Sequence, residues 1–189
     1  IDDSVDPNQD ILDTSSVFLE ALSQPAAVAI GGNRAIYFSD GQYESDTLFV
    51  LENFDRFNRP ENNNNADHLH PVSSGHGTIT DIAASGSSYV YFSTDDNKIH
   101  QYSVSTPGTV RTADISDHGT ITAITVDSEG YVYAATKTGG VGSIYKIDFA
   151  SQKFNHSKIN TGSPPEITDL AIDKNKNIVF AASDKLYQL

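Results

Sequence analysis

The sequence contains no cysteine, no methionine and no tryptophan among its 189 residues. Without cysteine the chain has no disulfides, no thiolate zinc or iron–sulfur sites and no cysteine nucleophile. The absence of cysteine also fits a protein that avoids stray oxidation, and we expect it to be secreted or at the cell surface. A chain without methionine that starts at Ile1 is expected to be a processed mature protein or a piece of a longer one.

Basic residues are scarce as well. Twelve Lys and Arg stand against 25 Asp and Glu, which gives a net charge of −13. A chain this acidic repels phosphate backbones, so we expect no nucleic-acid partner. Apolar runs such as residues 26–30 fall well short of the roughly 18 residues of a membrane-spanning helix, so we expect no membrane insertion. Helical periodicity is nearly absent, and the sequence predicts an all-β fold.

What the chain does contain is an internal repeat. An apolar segment, a turn and an aromatic-rich segment follow one another four times. Intervals of 54, 42 and 46 residues separate the matched positions Tyr37, Tyr91, Tyr133 and Val179. Periods of about 40–50 residues with several short strands are typical of β-propeller blades. The long first interval holds the Asn-rich residues 58–65, which are expected to be a surface loop.

Each unit fits four strands, so the sequence predicts a β-propeller of about four four-stranded blades over residues 15–189, after an acidic leader or linker at 1–14. The blades are expected near 25–74, 75–116, 117–162 and 163–189. The last unit stops after its third strand, and a spare apolar segment, residues 15–22, precedes the first. This N-terminal strand either closes the ring or the chain is part of a larger ring. Pairing of the same strand between chains would give a homo-oligomer.

The repeats resemble NHL-type and YWTD-type propeller repeats. The resemblance lies in "ITDIA" and "ITAITVD", each followed by a turn and then by "YVYFSTDDNKIHQYSV" or "YVYAAT", and it covers residues 25–189. The chain lacks the Trp of the YWTD signature. Such propellers include binding scaffolds, receptors and a few hydrolases or lyases, so the resemblance implies architecture more than activity.

Two carboxylates occupy the same position of their predicted inner strands. Asp81 and Asp169 match each other, and the other two units carry Ala27 and Ala123 there. Inner strands line the central channel of a propeller, so the pair is a candidate Ca²⁺ site, since Ca²⁺ takes oxygen ligands. The resemblance also implies a metal site at these positions, because lactonase-like propellers bind metal in the same region of the channel. In the alternative, both carboxylates bind local turns or neighbouring backbone, and the protein has no cofactor.

Two histidines precede the same Gly-Thr-Ile-Thr sequence in successive units. His76 and His118 are candidate binding residues, as imidazoles on one face of the molecule. In the alternative, they are hydrogen-bonding residues of the repeat between blades.

The leading functional hypothesis is a non-enzymatic extracellular or cell-surface binding or assembly module, with a protein or a glycan as partner. The second is a lactonase-like, calcium-dependent hydrolase. The third is a structural subunit of a surface assembly or filament. No motif of a nucleophile elbow, a phosphate loop or a zinc protease occurs, which favours a protein that is not an enzyme.

Overall fold

The computed structural model describes residues 25–32, 35–40, 44–51, 69–151, 154–160 and 162–189. These residues form fifteen β-strands in four antiparallel sheets and a single 3₁₀ turn, Ser116–His118. None of them belongs to a helix that is long and apolar enough to cross a membrane. The all-β propeller fold with four blades is therefore confirmed. The spare strand predicted at 15–22 and the leader at 1–14 lie outside the described residues.

Within each blade the strands pair in chain order. Blade 1 contains β1 (Pro25–Ile30), β2 (Ile36–Asp40), β3 (Glu44–Leu51) and β4 (Leu69–Ser73). Blade 2 contains β5 (Ile79–Ser85), β6 (Tyr89–Thr94), β7 (Lys98–Ser103) and β8 (Val110–Asp114). Blade 3 contains β9 (Thr120–Val126), β10 (Val132–Thr138), β11 (Val141–Asp148) and β12 (Asn155–Lys158). Blade 4 has three strands, β13 (Ile167–Ile172), β14 (Ile178–Ala182) and β15 (Lys185–Gln188).

The first strand of each blade is the innermost. Strand β1 packs on β5, β5 on β9 and β9 on β13, which places these strands around a common axis. Each inner strand carries a register shift at the equivalent position. The shift lies directly before Ala27, Asp81, Ala123 and Asp169. In blades 2 and 4 this β-bulge immediately precedes Asp81 and Asp169, and such bulges re-aim side chains at functional or structural positions.

The second strand of blade 2 is buried on both faces because this blade lies between blades 1 and 3. In β6 every residue from Val90 to Thr94 is buried, which explains why the segment reads as a continuous apolar run rather than an alternating one. Its Tyr91 packs toward blade 3 and its Phe92 toward blade 1.

Three hydrophobic clusters join the four blades, one between each successive pair. In every cluster, second- and third-strand side chains of one blade meet first- and second-strand side chains of the next. Representative members are Tyr37 and Leu48 with Ile82 and Phe92, Tyr91 and Ile99 with Ile124 and Ala134, and Tyr133 and Ile144 with Leu170 and Phe180.

The described residues form no fourth cluster between blade 4 and blade 1. The outward faces of these two blades instead expose apolar side chains. Val28 and Ile30 of β1 are 65% and 72% exposed, and Leu186 of β15 is 76% exposed. Within the part of the chain that the structure describes, each blade therefore packs on the next, but blade 4 does not pack on blade 1.

Candidate functional site

The carboxylate of Asp81 links two blades. Its Oδ1 accepts a hydrogen bond from the backbone N–H of Ile82 at 2.8 Å, and its Oδ2 accepts one from the N–H of Ile124 at 2.7 Å. Ile124 belongs to the inner strand of the next blade, 43 residues along the chain. The carboxylate therefore accepts backbone donors from two successive inner strands.

Burial raises the pKa of Asp81, against the lowering effect of the hydrogen bonds from Ile124 and Ile82, and the charge of Asp169 raises it further. Asp169 makes the same local contact as Asp81: its Oδ1 accepts the N–H of Leu170 at 2.8 Å. Its side chain is exposed.

Across the described ranges, no three His, Asp or Glu side chains converge as metal ligands would. Asp81 and Asp169 offer carboxylate oxygens, the ligand type that Ca²⁺ prefers, but the oxygens of Asp81 already accept two backbone donors. A calcium site at this pair stays a prediction.

Other aspartates of the repeats also bind backbone. Asp127 Oδ1 accepts the N–H groups of Glu129 and Tyr131, both at 2.9 Å, and its Oδ2 accepts the hydroxyl of Tyr133 at 3.1 Å. Burial and the carboxylate of Asp127 raise the pKa of Tyr133 to about 12. Asp173 closes the equivalent turn of blade 4 in the same way, through the N–H groups two and four residues on. These carboxylates fix the turn between first and second strands.

His100 is a buried histidine that sequence reasoning missed. Its Nδ1 is hydrogen-bonded to Thr112 Oγ1 at 2.9 Å and its Nε2 lies 3.3 Å from Thr94 Oγ1. The ring stacks on Phe92 with centroids 4.8 Å apart, and the residue is 3% exposed. Burial, with a smaller contribution from the charge of His76, lowers the pKa of His100 to about 4. The imidazole is therefore neutral at physiological pH.

The two histidines singled out by the repeat make matching contacts. The His76 ring lies 4.8 Å from the ring of His100, and the His118 ring stacks 4.3 Å from that of Tyr145. His100 and Tyr145 hold the same position of their third strands, directly after Ile99 and Ile144. Each loop histidine therefore packs on the third strand of its own blade.

His118 belongs in addition to an exposed pair. Its Nε2 lies 2.7 Å from Nδ1 of His156 on the outer strand β12. Partial burial and the neighbouring charge of His156 lower the pKa of His118, while Asp117 opposes that shift. The contact requires one ring to donate and the other to accept, so at least one is neutral. We call His118, Tyr145 and His156 the histidine surface. His156 carries no repeat signal and was not predicted.

A cleft of about 200 Å³ lies between blades 1 and 2, lined by apolar side chains that include Tyr37, Val50 and Tyr102. Its volume is below the roughly 300–1,000 Å³ of sites that enclose a small ligand.

No known protein family matches the chain by its sequence profile, and no curated protein matches it in sequence. Solved structures do match. A catalytically inactive variant of virginiamycin B lyase from Staphylococcus aureus, solved with quinupristin, superposes with a TM-score of 0.65 at 12% identity, over 87% of this chain and 52% of the lyase. A streptogramin B lyase gives 0.59 at 15% identity, over 87% and 53%. The WD40 propeller domain of Doa1 gives 0.57 at 13%, over 87% and 49%.

At these identities the likeness establishes the β-propeller fold and nothing finer. The chain spans about half the length of the structures that it matches. A lyase and a WD40 domain share the fold, so the assignment to NHL-type or YWTD-type repeats stays a prediction.

Proposed function

We propose that this protein is a non-enzymatic binding or assembly module, extracellular or at the cell surface, with the propeller as its rigid scaffold. The observation that supports this proposal is that the acidic and imidazole side chains of the repeats make hydrogen bonds within the protein. The carboxylates of Asp81 and Asp127 accept two backbone N–H groups each, and both ring nitrogens of His100 contact threonine hydroxyls. Groups that an enzyme would direct at a substrate hold a turn, neighbouring strands or two blades together instead.

The histidine surface is the proposed contact region. Aromatic rings with a polar edge are favoured at protein interfaces because they combine apolar area with hydrogen bonding. His156 is exposed, and His118 and Tyr145 are partly exposed, so all three are accessible to a partner. The net charge of −13 favours a protein with a basic surface over a glycan, since opposite charges accelerate encounter. The chain contains no cysteine and no methionine, so it has no sulfur side chain that an oxidising environment could damage. This composition supports an extracellular location.

The test is a labelled sample of the whole chain applied to an array of extracellular proteins and to a glycan array. We expect binding to basic proteins that weakens with salt and falls by about tenfold or more in a His118→Ala/His156→Ala double variant, as for the loss of a central interface contact. Lys174→Ala, which removes an exposed side chain on blade 4, is the matched control and should bind normally. Binding confined to glycans, or binding unchanged in the double variant, would contradict the proposal.

A calcium-dependent hydrolase is the second candidate. One feature favours it. The charge of Asp169 raises the pKa of Asp81, and a divalent cation bound by both carboxylates would offset this repulsion. Calcium titration separates this candidate from the scaffold.

A further inference from the structure

One position of the repeat is buried in three blades and exposed in the fourth. Ile82, Ile124 and Leu170 pair with matching residues of their second strands and are 5%, 4% and 5% exposed. The equivalent residue of blade 1, Val28, is 65% exposed. In blades 2 to 4 this side chain packs on the preceding blade. Blade 1 therefore presents a face that is built to receive a blade, and we call it the receiving face.

Blade 4 shows the complementary exposure. Leu48, Ile99 and Ile144 hold one position of the third strands and are each 0% exposed, because the following blade covers them. Leu186, at the same position of blade 4, is 76% exposed. This second face, which we call the leading face, has the surface that blades 1 to 3 bury against their successors.

The inner-strand carboxylates make the two faces complementary in their polar contacts as well. Asp81 of blade 2 accepts the N–H of Ile124 in blade 3 at 2.7 Å. Asp169 of blade 4 has the same local bond to its own strand, but the described residues place no following blade beside it. The residue equivalent to Ile124 in a following blade of this sequence is Val28. Asp and Ala alternate at this position through blades 1 to 4, so a blade 1 after blade 4 continues the alternation.

We infer that a second copy of this chain docks head to tail, with the leading face of blade 4 on the receiving face of blade 1. Leu186 and Val28 become buried across the joint, and Asp169 accepts the N–H of Val28. The interface is heterologous, and two such joints close a ring of two chains. Eight blades lie at the upper end of the usual range for propellers.

The occupant is assigned as a second copy because one copy of this chain carries both missing faces, each in the form that blades 1 to 3 already bury. Each buried face in the structure is covered by several strands of a neighbouring blade, so the occupant must be a blade and not a single strand. The joint also repeats an interface that the chain already makes three times.

Sedimentation of the whole chain over a wide concentration range tests it. We expect a species of twice the 20.4 kDa chain mass. Val28→Asp and Leu186→Asp should each give monomer, because each buries a carboxylate in the apolar joint. Val141→Asp is the matched control: Val141 is 41% exposed, lies on neither face, and its variant should remain dimeric. Circular dichroism should show that these variants, all at exposed positions, are folded.

Two further samples test the head-to-tail geometry. Asp169→Ala should weaken the dimer by about tenfold or more, as expected for a hydrogen bond to a charged group. A mixture of Val28→Asp with Leu186→Asp should regain dimer, since one joint of the mixed pair has both faces intact. A wild-type chain that stays monomeric, a dimer that withstands Val28→Asp, or a mixture that stays monomeric would each overturn the inference.

Discussion

Acidification below pH 6.5 should destabilise this protein through His100. The imidazole is 3% exposed and its two nitrogens contact Thr112 and Thr94. The folded protein therefore holds the ring neutral, with a pKa of about 4 against 6.5 for an unperturbed histidine. As the pH falls below 6.5, the unfolded chain takes up the proton and the folded chain does not, so protonation favours unfolding.

The size of the effect follows from the two pKa values. The contribution of His100 to the free energy of unfolding is complete above pH 6.5 and falls by about 1.4 kcal/mol per pH unit between 6.5 and 4. The loss is about 2 kcal/mol by pH 5 and about 3 kcal/mol in all. His76, Asp96 and Lys98 are the charged groups that act on the ring. The lowered pKa of Asp96 costs stability only below the ordinary aspartate range, outside this window.

The assay is urea unfolding followed by circular dichroism across this pH range, for the wild-type chain and for His100→Gln, whose amide can still bond the threonines without titrating. We expect the variant to show a flatter pH profile, with the difference confined to pH 4–6.5. Lys174→Ala removes an exposed side chain of blade 4 and is the control that should keep the wild-type slope. Equal slopes for wild type and His100→Gln would refute the reasoning.

Three further substitutions probe the contacts within and between blades. Gly119 has φ +99°, and a Cβ there would overlap the carbonyl oxygen of Lys137, so Gly119→Ala should cost about 3 kcal/mol or more in urea unfolding. Gly108→Ala, at φ +87° in open space, should cost only the backbone strain of about 1–2 kcal/mol, and equal losses would contradict this account. Asp81→Ala should cost about 1–3 kcal/mol because it leaves the N–H of Ile124 unpaired, and an unchanged midpoint would show that water replaces the carboxylate.

The repeat made the fold predictable because every blade repeats the same local pattern. Hairpin turns and apolar strands are local properties, so matched positions such as Tyr91 and Tyr133 were enough to find them. The sequence does not decide whether strand 15–22 closes the ring or the chain is part of a larger ring, because closure depends on which blade faces meet. The exposure of Val28 and Leu186 is visible only once the blades are assembled.

The candidate site was less predictable because its contacts are long-range. Asp81 and Asp169 stood out as matched carboxylates, but the donor to Asp81, Ile124, lies 43 residues away. His76 and His118 stood out by repetition, whereas His100 looked like one polar residue of an alternating strand. Its partners sit on the neighbouring strands β6 and β8, and sequence spacing does not specify those pairings without the register.

Asp81 and Asp169 both accept backbone N–H groups, and we propose that they serve a scaffold rather than a metal centre. Calcium titration by calorimetry and thermal unfolding, on wild-type chain first stripped with chelator, tests it most directly. We predict no stoichiometric heat and an unchanged Tm. A specific site would stabilise the fold by about 2.7 kcal/mol at a hundredfold excess of Ca²⁺ over Kd. Such a stabilisation, lost in both Asp81→Ala and Asp169→Ala, would contradict the claim and favour the calcium-dependent hydrolase.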